Sequence, residues 1–175
     1  MPGALLRCLG MAVRPSLLWK EMPLEKRVLA AAAFWRDDES PDIQAQQIEA
    51  VVTLAKRLNF RPKSIQSLPI DRRARHLAQL TDLSDAVATR ALIAYHFTEK
   101  RPLMAAFLDA LGVAHDNGLI TEEDVAAPDR ARLATAVAAV KTQFDAADVE
   151  LYLRTLVALD GETWTNLDAL LTPPA

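Results

Sequence analysis

Histidines, a lone cysteine and clustered charges are the side chains of this chain best suited to chemistry near neutral pH. The histidines are His76, His96 and His115, and the cysteine is Cys8. No two of them stand at HExxH or HxxxH spacing, so no helix face presents a ready zinc pair. There is no GxSxG elbow for a nucleophilic serine, and the five glycines are too scattered to write a phosphate-cradling loop. No metal and no cofactor is therefore expected. His96 is the one catalytic candidate with a neighbour, because Asp85, Thr89 and His96 share a polar stripe of one helix. A partly buried Asp–His constellation would act as a general base. The same stripe is also what the hydrogen-bonded side of a core helix presents, and that second meaning is the more ordinary.

The stronger signal is electrostatic. Between Lys56 and His76 lie Lys56, Arg57, Arg61, Lys63, Arg72, Arg73 and Arg75, with Asp71 the only acid. Arg72, Arg75 and His76 project from one side of their helix, and Arg61 and Lys63 precede it in a linker. Clustered cations of this kind bind phosphate backbones, with affinity that falls steeply with salt. The candidate binding residues are Lys56, Arg57, Arg61, Lys63, Arg72, Arg75 and His76. Residues 1–75 hold 13 Lys/Arg against 8 Asp/Glu, whereas residues 76–175 hold 7 against 15. That polarity serves assembly or partner choice, while an acidic pI near 5.6 weighs against a dedicated nucleic-acid protein.

One loop imitates a metal site. Val113–Asp124 aligns with a calcium-binding loop at Asn117-Gly118, but Val113 stands where the first aspartate belongs, and Asp124 replaces the closing glutamate. A left-handed Asn117-Gly118 turn followed by a helix from Thr121 explains it better.

These residues need elements to hold them. Apolar residues make up 51% and charged residues 25%, values of an ordinary globular chain, which argues against disorder. A single cysteine allows no intrachain disulfide and suits a thiol-keeping, cytoplasmic setting. Prolines 23, 41, 69, 102 and 128 each open a run of helical period, and Gly112 and Gly161 follow the ends of such runs. The stretch VATRALIAYHF, 87–97, is apolar nearly all round, as a central core helix must be, and is too short to span a bilayer. No segment alternates with period two, so no sheet is expected.

The expected fold is thus all-α, a compact orthogonal bundle of about eight or nine short helices around a buried helix at 84–98. Residues 1–21 read as an irregular or loosely docked tail carrying an LLW cluster at 17–19 that wants a partner. Residues 22–171 read as one domain, and 172–175 as a C-terminal tail. No family resemblance is evident in the motifs. The first functional reading is a non-catalytic module that binds another protein. Nucleic-acid or polyanion binding through residues 56–76 is the alternative, an enzyme built on His96 and Asp85 comes third, and a second copy of the chain is a further candidate partner.

Overall fold

The structure, a computed structural model, describes residues 12–40 and 42–172. Cys8, the tail up to residue 11, Pro41 and residues 173–175 lie outside the described residues. Among the described residues ten helices form an all-α bundle: α1 (Pro15–Glu21), α2 (Leu24–Arg36), α3 (Ile43–Leu58), α4 (Pro62–Gln66), α5 (Ile70–Gln79), α6 (Asp85–Glu99), α7 (Arg101–Leu111), α8 (Arg130–Lys141), α9 (Ala146–Leu159) and α10 (Thr165–Leu171). None of them is long and apolar enough to cross a membrane.

Local chemistry sets most boundaries. The Ser84 hydroxyl accepts the Val87 N–H at the start of α6, and Asp129 and Asp145 do the same for α8 and α9. Pro102 lies in the first turn of α7, and Gly112, at φ 67°, closes that helix in the left-handed conformation glycine adopts without strain.

The core comes in two apolar clusters. One gathers α1, α2, α3, α5 and most of α6, with Trp19, Phe34, Leu54 and Leu92 buried in it. The other gathers α7–α10 around Phe107, Leu133, Leu153 and Trp164. Helix α6 joins them: it packs on α1, α2, α3, α7 and α9, and Phe97 near its end reaches the second cluster. Leu151 and Ala158 of α9 reach back to the first. The all-round apolar reading of α6 is explained by this position, since nearly every face meets another helix.

Four expectations are corrected. Within the expected tail, residues 15–21 form α1, and Leu18 and Trp19 are fully buried. The Trp19 indole N–H donates to the Leu80 carbonyl at 2.6 Å. The LLW cluster therefore finds its partner in its own bundle; a seven-residue helix is too short to show a period. Second, a two-residue antiparallel ladder exists, His115–Asp116 with Leu119–Ile120, across Asn117-Gly118. Both turn residues have positive φ, as a tight hairpin requires. Gly118 also lies against α7, where a Cβ would come within 2.8 Å of the Met104 Cβ. Third, no helix starts at Thr121; the Glu122 carboxylate instead accepts the Ala114 N–H and ties the loop down. Fourth, Ser40 reads from the sequence as the cap of the second helical run but does not cap α3; its hydroxyl donates to Asp37 at 2.6 Å, and the cap position falls to Asp42 in a left-handed conformation.

Candidate functional site

The polar stripe of α6 is divided between two environments. Asp85, at the first turn, accepts from Arg14 and from the Ser16 N–H. Hydrogen bonds from Ser16, then from Arg14, hold its carboxyl at about 2. His96 lies eleven residues on, about 16 Å along the helix axis, and is 3% exposed. Its Nε2 is 3.1 Å from the Thr155 hydroxyl of α9. Because that hydroxyl spends its one proton on the Leu151 carbonyl at 2.7 Å, it accepts from His96, which must then carry its proton on Nε2. Nδ1 is buried and has no partner among the described residues. Burial, with a smaller contribution from the Lys100 charge, lowers the imidazole to about 3. The structure thus does not bring Asp85 and His96 together, and His96 is a neutral packing residue where the two clusters meet.

Around it the junction is knitted. Tyr95, His96, Tyr152 and Phe107 stack edge to face in series, with ring centroids 5.3, 5.4 and 5.7 Å apart. Beside them Asp148 of α9 accepts from Lys26 of α2 at 2.5 Å and from Lys100 at 2.6 Å. Burial pushes Asp148 up, but the hydrogen bonds and charges of Lys100 and Lys26 outweigh it and hold the carboxylate ionised. Burial and the Asp148 charge push the Tyr95 phenol up to about 12.

His115 is likewise occupied. Its Nδ1 accepts the Gly118 N–H at 3.1 Å, so its Nε2–H donates to Asp109 at 3.0 Å. The loop that imitates a calcium site is closed by this imidazole. Among the described residues no three His, Cys, Asp or Glu side chains gather as a metal would need.

The basic run is spread over α3, the linker and α5. Lys56, Arg57, Arg61, Lys63, Arg72 and Arg75 are exposed, and His76 is half-buried. Arg57 pairs with Asp82. Among the described residues the other five cations have no ion pair. Arg73 turns inward: its guanidinium carbon stands 4.9 Å from the centre of the Trp35 ring. That ring floors a groove of about 330 Å³ walled by Gln44, Gln47, Ile48 and Val51 of α3, with Gln66 of α4 and Arg73 of α5.

Three features set this groove apart. Its wall is anchored, since the Gln47 amide donates to the Phe34 and Asp37 carbonyls and straps α3 to the end of α2. The Trp35 Nε1–H and the Arg73 Nε–H are buried and have no acceptor among the described residues, an arrangement costing about 1–3 kcal/mol per group. Ile48 on its rim is 58% exposed, and Val52, one turn further along α3, is 37% exposed. Compared with known proteins, the chain matches no family model, no curated protein and no solved structure. What the groove does must follow from its own chemistry: two unmet donors, an aromatic floor and an aliphatic rim, on the cationic side of the chain.

Trp35 reads from the sequence as core or core edge, and Arg73 as one more member of a charged run. A signal for Arg73 existed. It stands three residues after Ile70 and four before Leu77, on the face of α5 that packs inward. Nothing in the spacing places α3 opposite that face.

Proposed function

We propose that this chain is a non-catalytic helical interaction module whose contact face is the groove between α3 and α5. The observation that carries this reading is the pair of N–H donors, Trp35 Nε1 and Arg73 Nε, buried without acceptors among the described residues on side chains that line a groove with an exposed aliphatic rim. Monomeric bundles ordinarily pair their buried donors, and an apolar rim beside unpaired ones suits a surface completed by another molecule. The test places a photocrosslinking amino acid at position 48 and, as a control, at exposed position 162 in the living source cell. A defined protein adduct from position 48 alone, resistant to nuclease, is the expected result. Equal labelling from both positions would overturn the reading.

A second reading, a polyanion contact, is supported by five exposed cations that have no ion pair among the described residues, Lys56, Arg61, Lys63, Arg72 and Arg75. Under that reading the adduct at position 48 is nucleic acid and disappears with nuclease, and binding weakens steeply as salt rises.

A further inference from the structure

Resting on the interaction reading, we infer that the α3–α5 groove takes a short acidic amphipathic helix of a protein partner, one of whose carboxylates is anchored on Arg73 and Trp35. The unmet groups of the groove are both donors, so only an acceptor completes them. A carboxylate brings two oxygens and matches the edge of a guanidinium. Arg73 has no ion pair among the described residues, so a small swing of its side chain toward an incoming carboxylate costs no existing salt bridge. The same swing moves the guanidinium off the face of the Trp35 ring, over which it now lies.

The length and polarity of the partner follow from α3. Gln44, Ile48, Val52 and Lys56 succeed one another at four-residue intervals, an edge about 18 Å long. Ile48 and Val52 ask for two aliphatic side chains one turn apart, and Lys56 at the far end asks for a second acid. An apolar stripe bounded by cations matches a helix of about three turns with leucines on one face and acids along its border. A phosphate backbone would leave Ile48 and Val52 uncovered, which makes nucleic acid the poorer occupant of the groove itself.

The experiment follows the ¹⁵N-labelled full chain by NMR while three probes are added in turn. These are a capped twelve-residue helical peptide with two leucines at i, i+4 and two border glutamates, the same peptide with glutamines for glutamates, and a twelve-residue oligothymidylate. The glutamate peptide is expected to bind about tenfold more tightly than the glutamine peptide. The Trp35 indole resonance should move while that of Trp19, held by the Leu80 carbonyl, stays. Trp35→Phe and, independently, Arg73→Gln should erase the preference between the peptides. Equal binding of both peptides, or binding that leaves the Trp35 indole unmoved, overturns the carboxylate anchor but leaves the interaction reading standing. Oligothymidylate shifts at Arg72, Arg75 and His76 without any peptide binding overturn the inference in favour of a polyanion. If no probe moves any amide between 44 and 76, both the inference and the interaction reading fail.

Discussion

At the junction of α6 and α9 the chain buries His96 and Thr155 in a hydrogen bond to each other, and it pairs both carboxylate oxygens of the half-buried Asp148 with lysines. In the groove between α3 and α5 it covers an indole N–H and a guanidinium N–H and pairs neither. Of the six buried side-chain polar atoms without a partner among the described residues, five sit on Arg27, Trp35, Gln46 and Arg73, all in α2, α3 and α5; the sixth is His96 Nδ1. The junction has work to do inside the fold, since it joins two apolar clusters and must fix their register. A paired polar network does this because any slip breaks several bonds at once. The α3–α5 groove joins nothing further inside the bundle, so its unmet donors are a cost that folding alone does not recover. The difference teaches that the paired groups of the junction hold the fold together, whereas the unpaired donors of Trp35 and Arg73 sit on side chains that line a groove open to another molecule.

That comparison breaks first at Asp148. Asp148→Ala strands Lys26 and Lys100, whose side chains are 22% and 24% exposed. It should cost about 3 kcal/mol in urea unfolding, as removing one partner of a sheltered ion pair does. A loss under about 1 kcal/mol, the scale of surface pairs, would reduce the junction to ordinary surface electrostatics.

The pH dependence of the junction comes next. The folded state holds His96 near 3, against about 6.5 when unfolded, so the unfolded chain takes up the proton first as pH falls. The contribution of neutral His96 is therefore full above about pH 6.5 and drains away towards pH 3. Between pH 7 and pH 5 it should amount to about 2 kcal/mol. Unfolding curves at both pH values should show this slope in the wild type and not in His96→Gln; an unchanged slope would place the titration elsewhere.

A smaller effect belongs to Thr155→Val, which keeps the shape but removes the acceptor of His96 Nε2–H. It should destabilise by about 1–2 kcal/mol, read as a lowered denaturation midpoint with an unchanged m-value. The smallest effect sharpens the contrast. Arg73→Met keeps the aliphatic stem against Trp35 and deletes a half-buried guanidinium with an unmet N–H. It should leave stability within about 1 kcal/mol of wild type, the lost cation–π contact offset by the removed desolvation cost. A loss as large as that of Asp148→Ala would make Arg73 a structural residue and remove the basis for a docking groove.

Much of this was legible in the chain. The all-α class, the central helix (expected at 84–98, found at 85–99) and the Asn117-Gly118 turn follow from period, proline placement and turn chemistry, all local in sequence. The single-helix stripe from Asp85 to His96 was visible for the same reason, but its meaning was not. One end meets α1, 69 residues away at Ser16, and the other meets α9, 59 residues away at Thr155. The helix from Thr121 failed because TEED offers cap chemistry without an apolar face to bury, and Glu122 gained more by tying down Ala114.

The sequence by itself determined where helices run and which of their faces are apolar, because backbone propensity and side-chain period act within a few residues. It also determined that charge divides unevenly along the chain. Only the tertiary structure decided which polar side chains find partners, since Asp148 with Lys26, His96 with Thr155, and the Trp35 N–H with no acceptor among the described residues are outcomes of how distant segments meet. Pairing depends on separations of a few ångströms between helices, and no pattern within one helix encodes them. The groove exists for the same reason: α2 supplies its floor, α3 its rim and α5 its cation, and their meeting is a property of the packed bundle.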